Sequence, residues 1–256
     1  MDRNTRCCRR YSWLLELRKG GNLMTVQLPL IIIAGYSCGL GEAIATYYGN
    51  NDYRVVGLSR TPHQRPSKLE DRADFVHICV DLNDEETTQQ TFAKIFREHG
   101  APTVLVHNVA KLLISPFAEI DHKSFVDAWR TSCLSAFHCA QACLPVMEQN
   151  GGTIIFTGAT ASVRGSSKFG AFASAKFALR GLAQALAREY SAKNIHVVHA
   201  LIDGLIWGPQ SIARFNPVQD TCLHPDDIAD AYFHLSKQPR SAWTHEIDLR
   251  PASEVF

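Results

Sequence analysis

Residues 28–41 read LPLIIIAGYSCGLG, an apolar, β-branched run that leads directly into a glycine-rich turn. The run has the length and composition of one buried strand. Gly35, Gly39 and Gly41 permit a tight turn and a close backbone approach, and the exposed amides of a helix that begins there can bind a pyrophosphate. The stretch therefore favours a nucleotide-binding strand–turn–helix unit over glycines that serve only strand–helix packing.

The alternation of strand and helix patterns continues along the chain. Further apolar runs lie at 53–59, 75–80, 103–107, 153–157, 195–202 and 245–249, and helical patterns lie at 39–50, 84–99, 121–149, 169–193 and 225–238. Near-continuous apolar strands separated by helices are typical of a parallel sheet that is covered on both faces. We therefore predict an α/β fold with a single doubly wound parallel sheet.

No repeat, low-complexity tract or long linker divides the chain after residue 24. We predict one domain over residues 25–256, preceded by an N-terminal extension, residues 1–24, that is disordered or precedes a working start at Met24. The least regular segment, residues 203–224, follows a strand end and contains Trp207 and Phe215. Ligands bind beyond the carboxyl ends of the strands in such sheets, so we expect this segment to be a lid loop, with the two aromatic residues either lining an apolar pocket or packing in the core.

The charge of the chain excludes some function classes. The 256 residues carry 26 Lys+Arg and 25 Asp+Glu, and residues 1–23 hold six basic and two acidic residues, so the remainder is slightly acidic. A nucleic-acid or membrane-surface binder needs a concentrated basic field, which the body lacks. No apolar run reaches the roughly 20 residues of a membrane span. We expect a cytoplasmic protein, with organelle targeting by residues 1–23 as the alternative.

Cysteine and histidine spacing predicts neither disulfides nor a metal site. The eight cysteines match no disulfide framework or CxxC pair, which favours a reducing compartment. His196 and His199 lie three apart on a predicted strand and face opposite sides, so they cannot share one ion. Cys139 and Cys143 share a helix face but lack further ligands nearby, which favours their being buried small hydrophobes.

The end of the second predicted strand bears on nucleotide choice. An acidic residue there would accept hydrogen bonds from the ribose of NAD, whereas an arginine can pair with the 2′-phosphate of NADP. The chain has Ser59 and Arg60 at this point. NADP is therefore the preferred cofactor, with NAD as the alternative.

Four motifs in order carry a resemblance to a known family. They are the glycine turn, Asp81-Leu82, the segment HNVA at 107–110 and the segment FASAK at 172–176. With them the chain resembles the short-chain dehydrogenase/reductase family over about residues 26–250. The resemblance implies a Rossmann-type domain, a nicotinamide cofactor, hydride transfer to or from a small-molecule carbonyl or alcohol, and a homodimer or homotetramer.

The residues that match the family's cofactor positions follow the motifs. They are Gly35, Ser37, Gly39, Leu40 and Gly41 in the turn, Ser59 and Arg60 after the second strand, Asp81, Leu82, Asn108 and Ala110, Lys176, and Gly204 and Ile206. The proline that usually precedes the glycine at 204 is replaced by Asp203.

The catalytic positions depart from the family. The general acid/base tyrosine is replaced by Phe172, and the serine and asparagine positions fall on Ala159 and Ser132, so only Lys176 survives. A phenyl ring has no titratable proton and cannot do acid–base work. The segments TGATAS (157–162), FASAK and SAWTHEIDLRP (241–251) together resemble a subgroup that shares the phenylalanine.

Three functional interpretations stay open. The first is a reductase with a substitute proton source, either a hydroxyl such as that of Thr160 or a water held by Lys176. The second is an NADP-binding sensor or partner subunit without redox chemistry, and the third is non-redox chemistry on the same scaffold. The fold cannot choose among them, because function depends on the site.

Overall fold

The computed structural model describes residues 28–254, and the predicted N-terminal extension lies outside the described residues. Seven parallel strands form one sheet in the order β3-β2-β1-β4-β5-β6-β7. The strands are β1 Leu30–Ala34, β2 Arg54–Ser59, β3 Phe75–Cys79, β4 Pro102–His107, β5 Gly152–Thr157, β6 Ile195–Ile202 and β7 Glu246–Leu249. This architecture confirms the predicted Rossmann-type α/β fold.

The two faces of the sheet explain the near-continuous apolar runs. In β1, Ile31 and Ile33 belong to one buried cluster, whereas Leu30, Ile32 and Ala34 belong to the cluster on the other face. All five residues are buried because helices cover both faces, so no position of the strand is left to water.

The helices divide between these faces. They are α1 Leu40–Asn50, α2 Glu85–His99, α3 His122–Trp129, α4 Ser135–Asn150, α5 Gly170–Tyr190, α6 Pro209–Phe215 and α7 Pro225–Ser236. The residues of α1 and α7 lie in the cluster with Ile31, and the residues of α2, α4 and α5 lie in the cluster with Ile32. The connection from β1 therefore leaves on the opposite face from the connection after β4, which opens a crevice between these neighbouring strands.

Two predicted elements need correction. The helix predicted over 121–149 is interrupted, because residues Arg130–Leu134 form a π-helical turn between α3 and α4. The segment 203–224, predicted as an irregular lid loop, contains α6, which begins with Pro209 in its first turn. Proline suits that position because its fixed φ is helical and its missing amide would have no partner there.

Two further findings concern hydrophobic helices and cysteines in the described residues. No helix within 28–254 is long and apolar enough to cross a membrane. The six cysteines of this part of the chain are free thiols, three of them buried.

Candidate active site

A cavity of about 1060 Å³ lies at the carboxyl ends of the strands. This volume matches the largest of the pockets that usually hold small molecules or cofactors, which range from about 300 to 1,000 Å³. Most residues predicted from the sequence line it: Gly35, Ser37, Gly39, Leu40, Ser59, Arg60, Asp81, Leu82, Asn108, Ala110, Ala159, Thr160, Phe172, Lys176, Gly204 and Ile206. Gly41 and Ser132 are not among the lining residues.

The glycine turn between β1 and α1 is shaped by close backbone contacts. Gly35 has a φ of 92°, and a Cβ on it would lie 2.8 Å from the carbonyl carbon of Asn108. A Cβ on Gly41 would lie 2.8 Å from the Gly35 oxygen, so Gly41 lets α1 pack against the turn rather than facing the cavity. The amides of Leu40 and Gly41 have no acceptor within residues 28–254, and no side chain caps α1. These amides are therefore free to bind an anion.

The end of β2 presents a cation to the same cavity. The Ser59 hydroxyl donates to the backbone oxygen of Thr61 at 2.8 Å and lies 2.8 Å from His77 Nε2, so it is already engaged. Arg60 is exposed and makes no hydrogen bond or ion pair to another residue in the described part of the chain. Opposite it, Asp81 Oδ1 accepts from the amide of Asn83 at 3.1 Å.

Lys176 is the buried cation of the site. Its Nζ donates to the backbone oxygen of Thr157 at 2.8 Å, and the residue is only 2% exposed although it lines the cavity. Burial lowers the pKa of Lys176 to about 8, because desolvation penalises the ammonium form. The amine therefore exchanges its proton near neutral pH, which is what an acid–base group requires.

An apolar wall stands where the family has its hydroxyls. Phe172 belongs to a buried cluster with Ala161 and Ala173, against which Leu112, Ala159 and Phe169 pack. The Lys176 Nζ lies 5.7 Å from the centre of the Phe172 ring. Neither Phe172 nor Ala159 brings a titratable proton to this wall, whereas Lys176, which lies beside it, can.

Thr160, the candidate substitute donor, has its proton turned away from the cavity. Its hydroxyl donates to Asp203 Oδ1 at 2.5 Å. Arg250 Nη2 lies 3.1 Å from the other oxygen of Asp203, and this ion pair holds the carboxylate in place. A hydroxyl has one proton, so Thr160 in this arrangement can accept a hydrogen bond from a ligand but not donate one. The residue that replaces the family's proline, Asp203, thus fixes the loop after β5.

A buried hydrogen-bond chain anchors the back of the same loop. His199 Nδ1 lies 3.0 Å from Glu246 Oε2, and its Nε2 lies 3.2 Å from Ser162 Oγ. Burial lowers the pKa of His199 to about 4, so the ring is neutral and donates through Nδ1 to the carboxylate. Glu246 accepts two further bonds from Arg180, each 2.7 Å long. Ser162 accepts in turn from the amide of Ala159 at 3.1 Å.

Ser162, His199 and Glu246 have the residue types of a Ser-His-Glu triad. Their wide separation in the sequence gives no sign that they meet. Ser162 is fully buried and does not line the cavity, so no substrate reaches its hydroxyl. This hydrogen-bond chain therefore positions the Ala159 segment and is not a nucleophilic site.

Ser132 lies behind the cavity, in the π-helical turn. Its buried hydroxyl accepts from the amide of Lys111 at 3.1 Å and so holds the segment that follows β4. In the next turn, Ser135 Oγ donates to the oxygen of Thr131 at 2.7 Å and lies 2.8 Å from His107 Nε2. Burial lowers the pKa of His107 to about 3, so this ring is neutral.

Several lining residues were missed by the motif analysis. Lys111, Arg164, Gln210 and Arg214 line the cavity but belong to no spacing motif. Arg214 lies on α6, within the segment predicted to be a lid, and Trp207 and Phe215 line the cavity as that prediction implies. The position of segment 203–224 after a strand end indicated the lid as a whole, but no sequence signal pointed to any of these four residues individually.

The residues present fit a nicotinamide dinucleotide. Free amides at the start of α1 suit a pyrophosphate, Arg60 suits a 2′-phosphate, and the cavity extends from both to Lys176. No cluster of His, Cys, Asp and Glu in residues 28–254 has the arrangement of a metal site.

Comparisons with known proteins agree with this geometry. The short chain dehydrogenase family model matches residues 29–205. An uncharacterized oxidoreductase of Staphylococcus aureus is 23% identical over 236 residues, which cover 89% of this chain and all of that protein.

Solved structures give the same result. A short-chain dehydrogenase from Rhodopseudomonas palustris superposes with a TM-score of 0.75 at 30% identity, covering 87% of this chain and 98% of that one. An alcohol dehydrogenase from Thermococcus sibiricus in complex with 5-hydroxy-NADP has a TM-score of 0.77 at 21% identity, covering 89% and 98%. The strand order, the glycine turn and the matched family model together show that the chain belongs to the short-chain dehydrogenase family.

Proposed function

We propose that this protein is an NADP-dependent oxidoreductase that transfers a hydride between NADP(H) and a small-molecule carbonyl or alcohol, with a proton source other than tyrosine. The observation that carries the proposal is that the glycine turn, Arg60 and Lys176 line one cavity. The first two fit a phosphorylated dinucleotide, and Lys176 gives the far end of the cavity a group that can exchange a proton.

The bound coenzyme supplies the hydride that a carbonyl carbon gains on reduction. The carbonyl oxygen must gain a proton at the same time, and Phe172 cannot give it. Lys176 has two N–H bonds beyond the one donated to Thr157, so its ammonium group can deliver a proton directly or through a water, and regain it from solvent. The wall of Phe172, Ala159 and Leu112 excludes other water from the reacting atoms.

A catalytically silent NADP-binding protein is the second candidate. It is favoured by the apolar wall and by Thr160, whose proton is held by Asp203. A general acid typically contributes about a hundred- to ten-thousand-fold in rate, so its loss would leave a slow reaction, which makes the two candidates separable only by measured turnover.

Coenzyme binding tests what the two candidates share. Thermal unfolding of the parent is measured against increasing NADPH and NADH, and we expect the larger stabilisation from NADPH. Arg60→Gln should reduce the NADPH response and leave the NADH response unchanged, because only NADPH has the 2′-phosphate. Absence of a response to either coenzyme would refute both candidates.

Turnover then separates them. NADPH oxidation is followed with a panel of aldehydes and ketones for the parent, Lys176→Ala and the double variant Ala159→Ser/Phe172→Tyr, with the exposed Lys94→Ala as the matched control. Activity in the parent and in Lys94→Ala that is lost in Lys176→Ala supports the enzyme. Activity in the double variant alone supports the silent binder. Phe172 and Ala159 would then be the substitutions that abolish catalysis in the parent.

We also propose that the chain forms a homodimer or homotetramer through α4 and α5. Support comes from three large apolar side chains that are exposed on α3, α4 and α5, namely Trp129, Phe137 and Phe177. Light scattering of the parent should give a mass of two or four chains, and Phe137→Glu should reduce it. Glu in place of the exposed Val218, which follows α6, is the control and should not.

We also propose that the protein is located in the cytoplasm. The free thiols of residues 28–254, Cys38 and Cys79 among the exposed ones, suit a reducing compartment. Fractionation of cells that express the full chain tests this, and recovery in an organelle fraction would favour targeting by residues 1–23 instead.

A further inference from the structure

We infer that the substrate is a carbonyl compound with an apolar body and a separate carboxylate, and that Arg214, with Arg164, binds this carboxylate. The inference rests on the proposed function and names the substrate class of the same cavity. It depends on how Arg214 is held, on where α6 places it, and on the charges around it.

Arg214 is held in place with most of its donors free. Its Nη1 donates to the backbone oxygen of Leu112 at 3.3 Å, and its guanidinium carbon lies 5.4 Å from the centre of the Phe215 ring. Its other N–H groups have no acceptor in the described part of the chain. A guanidinium fixed in this way is suited to a planar, bidentate bond with a carboxylate.

The path of α6 places Arg214 at the substrate end of the cavity. At the start of the helix, a Cβ on Gly208 would lie 3.9 Å from the Cα of Gly39, so this end faces the glycine turn. Arg214 lies five residues after Pro209, about 8 Å further along the helix at 1.5 Å per residue. Its acceptor, Leu112, packs on the Phe172 wall. The helix thus leads from the pyrophosphate subsite to the wall where a carbonyl would react.

The charges at this end are unbalanced in favour of an anion. Arg164, on the loop after β5, also lines the cavity and makes no ion pair with another residue of 28–254. Another lysine of the cavity, Lys111, is neutralised by an ion pair with Asp127. The carboxylate of Glu254 lines the cavity too; it lies near Arg250, whose pKa is raised mainly by Asp248 and also by Asp203 and Glu254. A cleft with two uncompensated arginines concentrates anions.

The apolar part of the ligand follows from the same surface. Leu112, Phe169 and Phe172 form one side, and Leu205, Trp207 and Phe215 line the cavity on the lid. A ligand that satisfied only the arginines would leave these surfaces in contact with water. An aryl or alkyl ketone with a terminal carboxylate covers both.

The test compares acids with their methyl esters on the protein saturated with NADP⁺, which has no hydride to give, so the ketones bind without being reduced. The probes are 4-oxo-4-phenylbutanoate, 5-oxo-5-phenylpentanoate and 6-oxo-6-phenylhexanoate, each with its methyl ester, and binding is measured by calorimetry. The variants are Arg214→Gln, Arg214→Lys and Arg164→Gln. Arg188→Gln is the matched control, because Arg188 is exposed on α5 and, among residues 28–254, donates to the Gln184 oxygen of its own helix.

We expect the parent and Arg188→Gln to bind at least one acid about tenfold or more tightly than its ester. This is the difference in affinity that a charge-assisted hydrogen bond typically makes. Arg214→Gln should weaken the acid about ten- to a hundredfold without changing the ester, and Arg164→Gln should act in the same direction. Arg214→Lys, which keeps the charge but not the planar fork, should retain part of the preference.

Two results would overturn the inference. One is the absence of acid preference at all three chain lengths in the parent. Another is an equal loss of acid and ester in Arg214→Gln, which would make Arg214 a structural part of the lid. Titration with NADPH alone keeps this failure distinct from that of the proposed function: a parent that binds NADPH but does not prefer the acids refutes only the substrate class.

Discussion

Replacing Lys176 by methionine should change how the stability of the protein depends on pH. The ordinary pKa of lysine, 10.5, applies to the unfolded chain, whereas burial lowers the pKa of the folded one to about 8. Between these values the unfolded chain holds a proton that the folded protein has lost. The free energy of unfolding therefore rises with pH in this window, and the buried ammonium destabilises the fold most below pH 8.

The size of the effect follows from the shift. At 1.36 kcal/mol per pKa unit, the ammonium of Lys176 costs the fold about 3 kcal/mol at pH 7, of which about 2 kcal/mol is recovered by pH 9.5. Lys176→Met lacks this titration. The parent should therefore gain about 2 kcal/mol relative to the variant between the two pH values, or about 4–8 °C in relative melting temperature for a domain of this size. The lost hydrogen bond to Thr157 is nearly constant with pH and cancels in the difference.

The assay is urea and thermal unfolding of the parent, Lys176→Met and Lys94→Met at pH 7 and 9.5, without coenzyme. Lys94 is exposed on α2, so its replacement removes a positive charge without removing a buried one. All other alkaline titrations are common to the three proteins. An equal stability difference between parent and Lys176→Met at both pH values would refute the buried-ammonium reasoning.

Two further predictions follow from buried groups and close contacts. Burial lowers the pKa of His107 to about 3, so below pH 6.5 the unfolded chain binds a proton that the folded protein excludes. Between pH 6.5 and 4, the free energy of unfolding of the parent in urea should fall by about 3 kcal/mol more than that of His107→Asn. Equal losses in the two proteins would contradict this. Gly35→Ala should destabilise the fold by more than about 1 kcal/mol, since its φ is 92° and a Cβ would meet Asn108 at 2.8 Å. Gly181→Ala, where the helix has open space, should instead stabilise it by about 0.5–1 kcal/mol; a melting curve that moved the same way for both glycines would contradict the steric argument.

The strands were the most predictable part of the fold, because burial on both faces leaves a continuous apolar run. Each predicted strand agrees with the observed one to within two residues at either end. The break between α3 and α4 has no such signal: residues 130–134 suit a helix, and the hydroxyls of Ser132 in the π-helical turn and of Ser135 beside it contact Lys111 and His107, which are distant in sequence. Local sequence cannot report contacts that the fold makes later.

The site was predictable where it repeats an ordered motif and not where it depends on distant partners. The glycine turn, Arg60 and Lys176 were found by their positions and line the cavity. Asp203 was noted only as a missing proline, because its partners, Thr160 and Arg250, lie 43 and 47 residues away. Arg214 gave no signal, since an exposed arginine in an irregular segment reads as a solvated charge.

The loop after β5 is fastened from both sides by the last strand of the sheet. Ser162 is held through His199 by Glu246, and Thr160 is held through Asp203 by Arg250. These fastening residues are synthesised some 80 residues after the loop itself. Domains generally fold as units, so the loop after β5 cannot take its final place until synthesis has passed Arg250. A chain truncated before Glu246 should therefore lack a defined place for a substrate.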